Sequence, residues 1–282
     1  MRVLLLGGSG QLGSEIRARW SGDEIVAPPH AAFDLFEPER FADAIAAASP
    51  ELVVNCAAFH NVDECEHAPE RALAANAIAV DALGAICAQR DIALLTISTD
   101  YVFDGDANRP YREDDCARPI SAYGVSKLAG ELLALRRGGN AYVVRTCGVY
   151  GLHASRSKGT FVDRVIAQAR AGEPIRVVND VVASPTYAGH LALALRALVE
   201  TRAYGLYHAA NVGPVSWYDF AAKALELAGI AHPIEPISAS AWKAAARRPA
   251  YSALANAKLE RLGIRLPRWD EGVAAYIQDK GL

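Results

Sequence analysis

The sequence predicts an α/β protein built on a doubly wound parallel sheet, and three observations carry that prediction. Through the first half of the chain, short β-branched apolar runs alternate with Ala/Leu-rich stretches at helical spacing. The runs are apolar almost throughout rather than at every second position, the pattern of strands covered by helices on both faces. A glycine-rich turn directly follows the first run.

Taken in order, strands are expected at 2–6, 24–27, 51–55, 93–98 and 141–145, with helices at 11–20, 38–48, 69–90 and 120–135 between them. Units of this kind wind right-handedly into one sheet. After Tyr150 the rhythm breaks: strand-like runs at 175–178 and 205–209 sit among helices and turns rich in proline. The expected architecture is therefore a Rossmann sheet with a smaller α/β substrate-binding domain. Residues 1–155 and 184–212 would form the first, and 156–183 and 213–282 the second.

The bulk numbers exclude several classes. The 282 residues are 52% hydrophobic and 22% charged, with 29 Lys+Arg against 32 Asp+Glu, the composition of a globular enzyme. No basic stripe interleaved with aromatics appears, so no nucleic-acid partner is expected. The opening Met1-Arg2-Val3-Leu4-Leu5-Leu6-Gly7 is too short an apolar run for a signal peptide. No uninterrupted apolar run of roughly 18 residues occurs, so no membrane span is expected and the chain is placed in the cytoplasm. The five cysteines are odd in number and lack a C-x-x-C spacing, and the seven histidines form no H-E-x-x-H. Neither a disulfide framework nor a metal site is expected.

Gly7-Gly8-Ser9-Gly10-Gln11-Leu12-Gly13 follows the first strand and opens a helix, with Gly7, Gly10 and Gly13 at G-x-x-G-x-x-G spacing. Glycine there permits a tight turn and close approach of backbone N–H groups to a pyrophosphate at a helix N-terminus. A dinucleotide is the expected ligand. Choice between NAD and NADP normally lies at the end of the second strand, as a carboxylate or a cation. Ala27-Pro28-Pro29-His30 is neither, so both coenzymes remain open. Asp34 and Leu35 are candidates for the adenine pocket, Asp34 alternatively for a helix cap.

Tyr123-Gly124-Val125-Ser126-Lys127 begins a helix, and the i, i+4 spacing puts Tyr123 and Lys127 on one face. A free phenol titrates near ~10, and a nearby ammonium would move it toward useful acidity. Ser98-Thr99-Asp100 lies at the end of the fourth strand. Ligands of an open parallel sheet bind beyond that edge, so the Thr99 hydroxyl is placed to orient a substrate oxygen.

With these come Asn55-Cys56-Ala57-Ala58, Val62-Asp63-Glu64-Cys65-Glu66, Asp100-Tyr101-Val102-Phe103-Asp104-Gly105, Pro110-Tyr111-Arg112-Glu113, Leu128-Ala129-Gly130-Glu131, Arg145-Thr146, Val149-Tyr150-Gly151, Ser184-Pro185-Thr186, Ser216-Trp217-Tyr218-Asp219-Phe220-Ala221 and Arg247-Arg248-Pro249. Along nearly its whole length the chain resembles the dTDP-4-dehydrorhamnose reductase family, extended short-chain dehydrogenases/reductases. The resemblance implies a catalytic Thr99–Tyr123–Lys127 triad and a pyrophosphate held by Gly7, Gly10, Gln11, Leu12 and Gly13. It implies that Ala57 and Ala58 line the path to the nicotinamide, and that the reaction reduces the 4-keto group of a dTDP-linked 6-deoxyhexulose. Asp100, Val102, Phe103, Phe161 and Arg247 are the candidates for substrate contact; Phe161 would stack on the base or pack in the core.

Departures from the family pattern are local. Gly148 stands where a Trp is common, and Asp180-Val181-Val182-Ala183 replaces Asp-Gln-x-Gly. Some members dimerise around magnesium held by glutamates; Glu15 matches one ligand, but Gly189 stands where another is expected, so Glu15 is expected to be a solvated helix residue. A monomer or homodimer is expected. Two other readings use the same motifs: a nucleotide-sugar epimerase with tightly bound NAD, and a non-catalytic subunit like that regulating methionine adenosyltransferase.

Overall fold

A computed structural model describes residues 1–137, 139–153, 159–241 and 244–282. Its centre is a six-stranded, wholly parallel sheet made of β1 (Arg2–Leu6), β2 (Glu24–Val26), β3 (Leu52–Asn55), β4 (Ala93–Thr99), β5 (Ala141–Thr146) and the edge strand Gly205–His208. From that edge strand the order runs β5, β4, β3, β1, β2. The chain thus leaves β1 toward β2 on one side and returns to β3 on the other. That reversal opens a crevice at the carboxyl ends of β1 and β3, where such sheets bind ligands.

Both faces of the sheet are covered, as the continuous apolar strands require. On one face α1 (Gln11–Arg19) places Leu12 and Ile16 on Val3 and Leu5, and Leu191 and Leu195 of the Ala188–Thr201 helix join them. On the other face α2 (Phe41–Ala48) contributes Phe41 and Ile45, packed with Leu4, Leu6 and Val53.

The helix expected over 69–90 is interrupted. It divides into α4 (Pro69–Leu73), a π turn at Ala74–Ile78 and α5 (Ala79–Gln89), preceded by the short α3 (Val62–His67). The cause is α6 (Ala122–Arg136), which presses so close at Gly130 that a Cβ there would lie 2.1 Å from the Asn76 carbonyl oxygen. The stretch Pro69–Gln89 is long and apolar enough to span a membrane by length and composition, yet half of its apolar window is buried against the rest of the fold. The expected helix at 38–48 likewise begins with a 3-10 turn, Pro38–Arg40, before α2. The second strand ends at Val26 rather than 27, ahead of two prolines, and β4 extends through Thr99.

Beyond the sheet, short strand pairs build a smaller region: Val149–Tyr150 with Thr186–Tyr187, Ile175–Val178 with Ile234–Ile237, and Val182–Ala183 with Val215–Ser216. Its own core holds Tyr150, Tyr187, Phe220 and Tyr276 with Val162, Ile166 and Val273. Leu259 and Leu266, in the stretch assigned from sequence to the second domain, pack instead in the sheet-side core. The expected boundary at 155/156 falls among residues 154–158, outside the described residues.

Candidate active site

The glycine turn is built by contact. Gly7 has φ +76, and a Cβ on it would lie 2.9 Å from the Ala57 nitrogen. A Cβ on Gly13 would lie 2.2 Å from the Gly7 carbonyl oxygen. Neither position admits a side chain, and the Gly10 N–H closes the turn onto the Gly7 carbonyl at 3.0 Å. The first turn of α1 therefore opens at the crevice with Ala57 and Ala58 partly exposed beside it. Two buried polar atoms at this edge, Gln11 Oε1 and Thr146 Oγ1, have no hydrogen-bond partner. A cradle free of side chains at a helix N-terminus, with buried polar atoms unpaired nearby, fits a dinucleotide.

The expected adenine residues separate. Asp34 is partly exposed and accepts from the Phe36 N–H at 3.0 Å; it forms a turn and caps no helix. Leu35 is 8% exposed and packs in the core beneath α2. The Leu35 side chain is thus part of the wall rather than an open contact.

Thr99, Tyr123 and Lys127 are brought together. Ser121 caps α6 by accepting from the Gly124 N–H at 3.2 Å. A Cβ on Gly124 would lie 2.2 Å from the Tyr101 carbonyl oxygen, so glycine lets the helix close on the turn after β4. This sets the Tyr123 ring edge-on to Tyr101 at 6.1 Å, with its phenol on the Thr99 side of the turn. Burial and the neighbouring Asp100 push the Tyr123 phenol above its ordinary value, and the Thr99 hydrogen bond pulls it back in part. Lys127 donates from Nζ to the Ile97 carbonyl at 2.7 Å. Burial lowers its ammonium to about 8, with Glu131 opposing.

Sequence reasoning missed the groups that hold this arrangement. Asn76 donates to the Phe59 carbonyl and to Ser126 Oγ, and Ser126 in turn donates to the Tyr123 carbonyl at 2.8 Å. The signal was present: a single amide inside the apolar run Ala74-Ala75-Asn76-Ala77. Beneath them Arg145 and Glu131 form an ion pair at 2.6 Å, both less than 5% exposed, with the Arg145 guanidinium over Phe103. His208 lies 3.4 Å from Arg145, and burial with that cation lowers its imidazole to about 3.

Most expected substrate contacts are corrected by packing. Val102 and Phe103 are fully buried, Phe103 stacked on Tyr111 at 4.1 Å. Asp100 is 3% exposed and faces Thr99 and Cys147, not open space. Phe161 is partly exposed and packs on Trp217 and Phe220, the core alternative. Arg247 is exposed, whereas Arg248 is held by Asp63 at 2.9 Å and donates to the Ala246 carbonyl at 3.2 Å.

Trp217 supplies an aromatic surface where Gly148 has none: its ring tip lies 3.2 Å from where a Cβ of Gly148 would stand. Glu15 is corrected too. It is 1% exposed and accepts from Arg19 Nε at 2.8 Å, while Arg19 also reaches Asp279 and Tyr187. A Cβ on Gly189 would lie 2.8 Å from Arg19 Nη2, so the glycine makes room for the cation that holds Glu15. Among the described residues no cluster of three His, Cys, Asp or Glu side chains could hold a metal.

A parallel sheet with a side-chain-free dinucleotide cradle and a Thr/Tyr/Lys set at the same edge defines a nicotinamide-dependent oxidoreductase fold of the short-chain class. A family model described as RmlD substrate binding domain matches residues 1–281, and the chain belongs to that family. It is 36% identical over 290 residues to a dTDP-4-dehydrorhamnose reductase of Sinorhizobium fredii, covering 98% of this chain and 97% of that one. It is 34% identical over 281 residues to the spore coat polysaccharide biosynthesis protein SpsK of Bacillus subtilis, covering 99% and 98%. Among solved structures, the dTDP-4-dehydrorhamnose reductase of Bacillus anthracis in complex with NADP superposes with TM-score 0.93 at 31% identity, with 99% of each chain covered.

Proposed function

We propose that the protein reduces the 4-keto group of a nucleotide-linked, dTDP-type 6-deoxyhexulose with NADPH or NADH. The observation that carries this reading is the side-chain-free glycine cradle at the same sheet edge as Thr99 and Tyr123, in a chain matched end to end by reductases of this name. Gly7, Gly10, Gln11, Leu12 and Gly13 would hold the pyrophosphate, with Ala57 and Ala58 beside it. The bound coenzyme supplies the hydride that adds to the sugar C4.

The residues of this chain manage the proton. With its phenol held above the ordinary value, Tyr123 stands protonated at neutral pH, the form that can give a proton to the developing alkoxide. Thr99 orients the same oxygen. Lys127 has two N–H bonds left beyond its bond to Ile97, enough to reach a ribose hydroxyl. Arg248, already fixed by Asp63 and the Ala246 carbonyl, is our candidate for the diphosphate cation, in preference to Arg247.

Residues 1–155 and 184–212 are read as the coenzyme half and most of the remainder as the substrate half. A soluble cytoplasmic enzyme, monomeric or dimeric, suits this reading. A UDP-glucose 4-epimerase of Thermus thermophilus in complex with NAD shares the fold at 22% identity and carries no further weight.

The test is coenzyme oxidation by purified protein with dTDP-4-keto-6-deoxy sugars, comparing NADPH and NADH. Turnover that needs the sugar and falls by about 10²–10⁴-fold in Tyr123→Phe supports the assignment. Bound coenzyme with no turnover on any such sugar would sink it.

A further inference from the structure

We propose that Asp100 is a positioning residue that orients the Thr99 hydroxyl and ties it, through Cys147 and Ser184, to the 250–254 segment of the substrate half. The proposal rests on the reading of Thr99 and Tyr123 as the reacting pair.

The geometry is a closed chain of short contacts. Asp100 Oδ1 lies 3.1 Å from Thr99 Oγ1, and Oδ2 lies 3.1 Å from the Cys147 thiol. The nearby Ser252 side chain favours the ionised Asp100 carboxyl, against burial. Cys147 Sγ accepts from the Ser184 N–H at 3.3 Å, and Ser184 Oγ accepts from the Leu254 N–H at 3.1 Å. Segment 250–254 is held at both ends: the Val182 N–H donates to the Ala250 carbonyl and the Ser252 N–H to Val182, each at 2.8 Å, and Leu254 bridges to Tyr111. Gly105 lets it close in, since a Cβ there would lie 2.7 Å from the Ala250 nitrogen. The same segment directly follows Arg247-Arg248-Pro249. Thr99 and the segment that follows Arg248 therefore share one hydrogen-bonded frame.

The chemistry follows from counting protons. Thr99 Oγ1 accepts from the Tyr101 N–H at 3.2 Å, and the hydroxyl has one proton to direct. Beside an ionised Asp100, that proton is drawn to Oδ1 and away from the substrate oxygen. Burial raises the Asp100 carboxyl, against the hydrogen bonds from Ser252, Cys147 and Thr99. A neutral carboxyl can donate to Thr99, which frees the threonine proton to point at Tyr123 and the substrate. The titratable groups facing Asp100 are Cys147 from the turn after β5, Tyr123 from α6 and Tyr101 from the turn after β4, with Arg248 behind Tyr101. No other residue of this frame needs to change charge for it to work.

Two readouts test the proposal separately from the reaction assigned above. Crystal structures of Asp100→Asn and Asp100→Ala should show Thr99 keeping its rotamer in the first, which retains a donor and an acceptor, and turning in the second. In turnover, Asp100→Ala should lower kcat about 10–100-fold with KM within about twofold, and Asp100→Asn should restore most of it. In a Thr99→Ala background the Asp100→Ala loss should shrink to under about threefold, because a residue acting through Thr99 has nothing left to position. Cys147→Ala, which removes one contact and leaves the reacting groups, should show the same non-additivity if Asp100→Ala fails to fold. Unchanged Thr99 geometry in Asp100→Ala, or losses that multiply across the cycle, would overturn the proposal. An inactive wild-type protein would instead overturn the assigned reaction and leave the rotamer comparison to decide this one.

Discussion

The coenzyme edge of the sheet and the substrate side of the cleft are built by opposite means. At the coenzyme edge and along α6, fit depends on missing atoms: Gly7 and Gly13 in the cradle and Gly124 and Gly130 in the helix each stand where a Cβ would meet backbone at 2.9 Å or less. On the substrate side, apart from Gly105 against Ala250, fit depends on side chains, such as Trp217 over Gly148 and Arg248 on Asp63. Backbone contacts admit one solution, and side-chain contacts admit many. The first region should therefore fail abruptly on substitution, and the second should retune.

The largest effect is expected under the catalytic pair. Glu131→Gln leaves the Arg145 cation buried without its counter-charge, next to a His208 that cannot absorb the loss. Breaking one partner of such a pair costs about 3–5 kcal/mol, read as a drop in urea midpoint at constant m-value. A change below about 1 kcal/mol would mean that the ion pair is not what supports β4, β5 and α6 at this point.

A second effect is specific to pH. Burial lowers Lys127 to about 8 from the ordinary 10.5, so the folded protein loses that proton first. Between those values the unfolded chain binds the extra proton, and stability rises with pH. Relative to Lys127→Met, the wild-type protein should gain up to about 3 kcal/mol between pH 8 and pH 10.5. Urea titrations of both proteins at pH 7 and pH 10 measure this difference. Parallel behaviour would place the lysine in a wetter environment than its 5% exposure indicates.

The same contrast explains what was legible in the sequence. The parallel sheet, the glycine cradle and the meeting of Thr99 with Tyr123 could be read because period, turn chemistry and helical spacing are local properties. Val102 and Phe103 were misread because a motif reports neighbours along the chain and is silent about which face of a turn is buried. The Lys127 bond to Ile97 and the Arg19 grip on Glu15 were invisible for a related reason. They join residues 30 apart in one case, and in the other belong to a cluster closed by Asp279, 260 residues away. Asn76 was the exception, a non-local tie announced by a polar residue in an apolar helix.

The smallest effect sharpens the comparison most. Arg247 and Arg248 are adjacent, yet Arg247 is exposed while Arg248 is fixed by Asp63 and the Ala246 carbonyl. A fixed guanidinium has less freedom to lose when a diphosphate binds, so it returns more of each charge-assisted bond as affinity. Arg248→Ala should raise the KM for the nucleotide sugar about tenfold, close to 1.4 kcal/mol, with kcat within about twofold. Arg247→Ala should change either constant less than about twofold. Asp63→Asn, which loosens Arg248 without touching the ligand, should fall between them. Equal effects at 247 and 248 would show that net charge on this loop, rather than a pre-set guanidinium, draws the substrate in. The substrate side would then be tuned by electrostatic field instead of by the contacts that distinguish it from the coenzyme edge.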